Sequence, residues 1–119
     1  MNIEEFREYC ISKKGVTEEF PFDEVTLVFK VLGKMFALTG LDEEMPSYNL
    51  KCDPEKAIEL RERFSAVQPG YHMNKKHWIT VYPDASITKK TMQSWIDHSY
   101  ELVVNKLTKA QQKELNLLK

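Results

Sequence analysis

The chain has 119 residues, of which 42% are hydrophobic and 29% are charged, and its formal net charge is −1. This length suits a single domain over residues 1–119 that folds without a disulfide or a metal, and the composition excludes extensive disorder. Because the net charge is so small, affinity for nucleic acid has to come from a local basic patch. The two cysteines, the acidic N-terminus and the absence of a long apolar run predict a cytoplasmic protein that spans no membrane.

The N-terminal residues predict a helix that begins at the cap Asn2 and ends near Lys13 and Lys14, with Gly15 suited to the left-handed position after it. Residues 16–24 are acidic and contain a proline, so we expect a loop there. Phe20 and Phe22 are expected to pack that loop onto the core.

Alternating apolar residues predict three strands over residues 25–31, 35–41 and 47–52, the first two joined by a tight turn at Leu32-Gly33-Lys34. Asp53-Pro54 then predicts a helix, because the aspartate can cap it and proline suits the first helical position.

The second half predicts a short strand within residues 66–71 and another over residues 77–82. A long helix is expected from about residue 88 to 107, and Thr108 opens a terminal helix. The order is therefore α-β-β-β-α-(β)-β-α-α. Strands joined by short turns are antiparallel, so we predict an α+β fold of two layers, with helices packed mainly on one face of an antiparallel sheet.

Residues 69–78 are the densest polar and aromatic segment, and they suit nucleic acid because aromatic rings stack on bases and lysines neutralise phosphates. Lys89 and Lys90 open the long helix and could extend this basic surface. Residues 71–90 carry four lysines against one aspartate, whereas residues 1–24 carry seven acidic residues against three basic ones. The predicted nucleic-acid-binding residues are Tyr71, His72, Asn74, Lys75, Lys76, His77, Trp78, Lys89 and Lys90.

A structural interpretation of the same segment stays open. Tyr71 and Trp78 would then be core residues, the lysines would be solvated, and His72 and Asn74 would hold a turn by hydrogen bonds.

Signals of catalysis and of metal binding are weak. His72 and His77 are five residues apart and no CxxC or HExxH motif accompanies them. Cys10 and Cys52 lie in apolar patterns that do not favour a reactive thiolate. There is no glycine-rich phosphate loop. We therefore expect no enzyme activity, no metal and no cofactor.

Three stretches resemble the MmcQ/YjbR-like family of small bacterial proteins: EFPFD at 19–23 followed by residues 28–31 and 33–38, PGYHMNKKHWI at 69–79, and SYELV at 99–103. The resemblance covers essentially the whole chain. It implies a two-layer fold similar to secretion-chaperone-like and CyaY-like domains, without catalytic residues or a cofactor. The family is commonly described as having a double-wing DNA-binding motif, which is an analogy at the level of the fold.

Three functions therefore remain open at this point. The first is a DNA- or nucleic-acid-binding module. The second is a protein-interaction or chaperone-like module with an exposed apolar patch. The third is a small-molecule binder or enzyme with a pocket lined by His72, His77 or His98. The oligomeric state is not predicted.

Overall fold

The computed structural model describes residues 1–70 and 73–118. Its helices are α1 (Ile3–Ile11), α2 (Pro54–Arg63), α3 (Lys89–Asn105) and α4 (Lys109–Leu117). Its strands are β1 (Val16–Glu19), β2 (Thr26–Val31), β3 (Lys34–Gly40), β4 (Tyr48–Lys51), β5 (Val67–Pro69) and β6 (Trp78–Val81). All neighbouring strands pair antiparallel, in the order β1-β2-β3-β4-β6-β5. The predicted α+β fold with an antiparallel sheet is confirmed.

The main core lies between one face of the sheet and the helices. The ring of Phe6 in α1 stacks on Tyr48 of β4 at 4.1 Å between centroids, and it meets Phe29 of β2 edge-on at 5.7 Å. Helix α3 packs across β2, β3 and β4, and Leu60 of α2 is buried in the same cluster. The helices therefore share one face, as predicted.

A second, smaller apolar cluster lies on the opposite face of the sheet. Val28, Leu38 and Trp78 are buried there, and Met35 and Met73 pack against them. Side chains alternate between the faces of a strand, so these residues point away from the helices. Met73, which lies between β5 and β6 in the chain, therefore covers part of this face.

The predicted helix starts are confirmed by their hydrogen bonds. The side chains of Asn2, Asp53, Thr88 and Thr108 each accept from backbone N–H groups in the first turn of their helix. Each cap satisfies donors that would otherwise have no partner inside the helix. No helix in the described part of the chain has both the length and the apolar character of a membrane span.

The expectation of a loop over residues 16–24 is wrong in its first half, because Val16–Glu19 pairs with β2 as the edge strand β1. Three of its four residues are exposed, so it lacks the apolar alternation that identifies a half-buried strand. The expectation that Phe20 and Phe22 pack onto the core is also wrong, since they are 49% and 63% exposed.

Candidate functional site

The turn at residues 74–77 is held together by Asn74. Its Oδ1 accepts from the backbone N–H groups of Lys76 at 2.9 Å and His77 at 3.3 Å, and its carbonyl accepts from His77 N at 3.1 Å. The backbone N–H of Cys52 donates to the carbonyl of His77 at 2.8 Å. This bond fastens the turn to the end of β4. Asn74 therefore has the turn-forming role that the structural interpretation gave it.

Gly70 lies directly against Trp78, the first residue of β6. Its N–H donates to the carbonyl of Trp78 at 3.0 Å, and its own carbonyl accepts from Met73 N at 2.9 Å. A Cβ atom on Gly70 would lie 2.8 Å from Trp78 Cβ and 3.0 Å from Trp78 O. Only glycine fits this approach without a backbone shift.

The structure buries one predicted contact residue and leaves two others undescribed. Trp78 is 6% exposed within the second apolar cluster, so it does not offer a ring face to a base. This burial agrees with the structural interpretation of Trp78 as a core residue. Tyr71 and His72 lie outside the described residues, and their predicted roles stay predictions.

Several lysines converge at the end of the sheet beside the turn. Lys51 ends β4, Lys34 begins β3 and Lys106 caps the C-terminus of α3. The pKa of the Lys51 ammonium is lowered, first by burial and then by the positive charges of Lys106 and Lys34. We call Lys34, Lys51, Lys75, Lys76, Lys106 and His77 the lysine-rich end.

The central lysines of this end are not paired with carboxylates in the described parts of the chain. Within the described parts of the chain, Lys34, Lys51 and Lys106 form no ion pair, whereas some lysines elsewhere do. Lys30 lies 3.5 Å from Glu19, and Lys89 lies 2.7 Å from Glu5. The positive charges of Lys34, Lys51 and Lys106 are therefore not offset by an ion pair among the residues that the structure describes.

Lys89 and Lys90 do not share this surface. They open α3, whereas Lys106 follows its last residue. A helix rises about 1.5 Å per residue, so the two ends of α3 are about 25 Å apart. The pairing of Lys89 with Glu5 also draws it towards α1. The structure thus separates the two lysine pairs that the sequence suggested as one surface.

A small hollow opens at the lysine-rich end. Its volume is about 130 Å³, and its lining includes Lys51, Lys106 and His77 together with the carboxylate residue Asp53. Since a water molecule occupies about 30 Å³ of liquid, the hollow has room for a few waters or a group of phosphate size. It is too small to enclose a whole nucleotide, so a larger ligand would lie across its mouth.

The other side chains considered for catalysis or metal binding, His98 and the two cysteines, lie in environments that favour their uncharged forms. His98 Nε2 accepts from Asp53 N at 3.2 Å, and burial together with nearby Lys56 lowers the pKa of His98. Burial raises the pKa of the Cys52 thiol to about 11 and also raises that of Cys10. No group of three or more His, Cys, Asp or Glu side chains is gathered for a metal within the described residues.

Sequence inspection identified the turn but missed Lys34, Lys51 and Lys106. Each ends or begins a different element, and the three are far apart in the chain. Their convergence depends on the pairing of β3 with β4 and on the direction of α3. No local pattern in the sequence reports this arrangement.

The fold and the site define a small α+β domain with an antiparallel sheet, helices on one face and a lysine-rich end. The family model described as YjbR matches residues 11–102. An uncharacterised Escherichia coli K12 protein, YjbR, is 36% identical over 97% of this chain and 98% of its own length. A Deinococcus radiodurans protein with a DUF419 domain superposes with a TM-score of 0.89 and 42% identity, over 98% of this chain and 88% of its own.

A more distant Pseudomonas syringae structure has a TM-score of 0.73 and 29% identity, over 86% of this chain and 98% of its own. An uncharacterised relative from Escherichia coli O157:H7, YbdF, is 42% identical over 81% of this chain and 79% of its own length. The chain belongs to the YjbR family.

Proposed function

We propose that this protein is a non-catalytic module of the cytoplasm that binds nucleic acid through its lysine-rich end. The observation that carries the proposal is the convergence of Lys34, Lys51 and Lys106, none of which forms an ion pair within the described residues. Holding like charges together is unfavourable in the free protein, and a bound phosphate would relieve the repulsion. The double-wing DNA-binding description of the family, which is an analogy at the level of the fold, names the same ligand class.

The lysines contact phosphates in this proposal and supply most of the affinity. Lys75 and Lys76 lie on the turn fastened to β4 by the bond between Cys52 and His77, beside Lys51. Phosphate contacts position a protein on nucleic acid but carry no sequence information. Because Trp78 is buried, it does not supply a stacking platform, and we expect little preference for particular bases from the described residues.

Absence of catalysis is part of the same proposal. Both thiols have raised pKa values, so neither is a thiolate near neutral pH. The imidazole of His98 is occupied as a hydrogen-bond acceptor for Asp53 N. The hollow beside His77 is small.

The test is a titration of fluorescein-labelled DNA of about 20 bases, single-stranded and duplex, followed by anisotropy at several salt concentrations. Five phosphate contacts give a slope of log K against log salt of about −4.5 for duplex DNA, or a loss of roughly 500-fold between 50 and 200 mM salt. The variant pairs Lys51→Gln with Lys106→Gln. It should bind at least about tenfold more weakly, with a slope shallower by about 2.

A matched control pairs Lys89→Gln with Lys90→Gln, which removes the same charge at the far end of α3. We expect its affinity to change less than about twofold, because exposed charges more than a Debye length away are largely screened. Equal losses in both variants would assign the binding to overall charge and contradict a site at the lysine-rich end.

A further inference from the structure

The end of the sheet opposite the lysines carries exposed apolar side chains. They lie on the loop between β1 and β2 and on the loop between β3 and β4, and the register places Thr26 of β2 beside Gly40 of β3. Leu41 N donates to the carbonyl of Val25 at 2.7 Å, which joins the two loops. We call the exposed residues Phe20, Phe22, Val25, Leu41 and Met45 the apolar patch.

The patch is large for a protein of this size. Phe22 is 63% exposed and Met45 is 70% exposed. With about 200 Å² per phenylalanine, the exposed fractions of Phe20 and Phe22 alone amount to roughly 220 Å². Adding the other three brings the patch into the range of about 300–600 Å² of the largest apolar patches on monomers, which are often functional.

Hydrogen bonds within the two loops fix the segments that carry these exposed side chains. The Asp23 carboxylate accepts from Val25 N at 3.0 Å and from Thr26 N at 2.6 Å. In the other loop, Ser47 Oγ donates to Glu43 at 2.8 Å. A backbone fixed in this way presents its apolar side chains at a low cost in conformational entropy on binding.

The charge around the patch indicates what it binds. Residues 20–25 and 41–47 contain five carboxylates, those of Asp23, Glu24, Asp42, Glu43 and Glu44, and no lysine or arginine. A negative rim repels nucleic acid and anionic lipid surfaces and attracts a basic partner. The apolar centre requires that this partner also bring apolar side chains.

We propose that the apolar patch with its acidic rim docks a basic, apolar segment of another protein. β1 lies at the edge of the sheet and leads directly into Phe20, so an extended segment can continue the sheet while its side chains reach the patch. This site is separate from the lysine-rich end and does not depend on the proposed binding of nucleic acid.

A second copy of the chain matches this surface less well. Its lysine-rich end would satisfy the acidic rim, but the other large apolar side chains exposed in the described regions are Ile58, Tyr82, Leu117 and Leu118. None of them is among the residues of the lysine-rich end, so a second copy that docked through that end would bring no large apolar side chain to the patch. A segment that carries both basic and apolar side chains would match both the acidic rim and the apolar patch.

The test uses a fluorescein-labelled peptide, Lys-Phe-Lys-Leu-Lys-Val-Lys-Phe, with the full chain. Two control peptides replace every Lys by Glu or every apolar residue by Ser. The patch variant pairs Phe22→Ser with Met45→Ser, and its matched control pairs Ile58→Ser with Leu117→Ser, which are also exposed. A charge variant pairs Asp42→Asn with Glu44→Gln, matched by Glu62→Gln with Glu114→Gln.

We expect only the Lys-apolar peptide to bind, and the patch and charge variants each to weaken its binding at least about fivefold, which corresponds to about 1 kcal/mol, the loss that separates contributing from neutral interface residues. Both matched controls should retain their affinity. An affinity that falls in the charge variant but is unchanged by Phe22→Ser with Met45→Ser would overturn the proposal. Dimerisation of the wild type that disappears in the patch variant, measured by sedimentation, would overturn it by assigning the patch to a second copy. Circular dichroism confirms the fold of each variant.

Discussion

Replacing Gly70 by alanine tests how the turn of the lysine-rich end is positioned. The new methyl group would lie 2.8 Å from Trp78 Cβ and 3.0 Å from Trp78 O, and neither atom can move away without moving β6. Relieving the contact pulls Gly70 N from the Trp78 carbonyl, which now lies at 3.0 Å. Overpacking costs about 1–3 kcal/mol and the lost hydrogen bond about 1 kcal/mol, so we expect a destabilisation of about 2–4 kcal/mol.

The matched control is Gly33→Ala. Gly33 has φ +83° and no atom within 4 Å of its hypothetical Cβ, so alanine there meets only the left-handed backbone cost of about 1–2 kcal/mol. Urea denaturation followed by circular dichroism measures both. For a slope of about 2 kcal/mol/M, the midpoint should fall by about 1–2 M for Gly70→Ala and by less for Gly33→Ala. A smaller shift for Gly70→Ala than for Gly33→Ala would refute the close approach.

Three further predictions follow from the same structure. Trp78→Ala should destabilise the fold by about 3–5 kcal/mol in urea denaturation, because the indole is buried. The pKa of His98 is lowered in the folded protein. Just below the ordinary pKa of histidine, this residue therefore binds more protons in the unfolded chain than in the folded one. The free energy of unfolding should therefore fall as the pH is lowered from about 7 to 5, and this loss should be absent in His98→Gln. Cys10 and Cys52 should react with a thiol reagent only after unfolding, since both are buried.

Much of the fold was predictable because its signals are local. The caps at Asn2, Asp53 and Thr108 and the alternation of β2 depend on neighbours within a few residues. The edge strand β1 was missed because its exposed positions carry no alternating apolar pattern.

The candidate site was predictable only in part. Residues 74–77 stand out in composition, but Lys51 and Lys106 join them through strand pairing and helix packing. The exposure of Phe20 and Phe22 was also missed, because the local sequence around an aromatic residue in a loop does not indicate whether its side chain packs inward or faces outward. The sequence left open whether Trp78 contacts a ligand or packs in the core. Its burial in the second apolar cluster shows that it packs.

The most direct measurement of the central claim is a map of backbone amide shifts in the ¹⁵N-labelled protein during titration with a 20-base DNA. We expect saturable shifts at Lys34, Lys51, residues 74–77 and Lys106, decreasing as salt is raised. The amides of Lys89 and Lys90 and of the apolar patch should not move. Shifts centred on the start of α3 or spread over the whole surface, or no shifts at low salt, would contradict binding at the lysine-rich end.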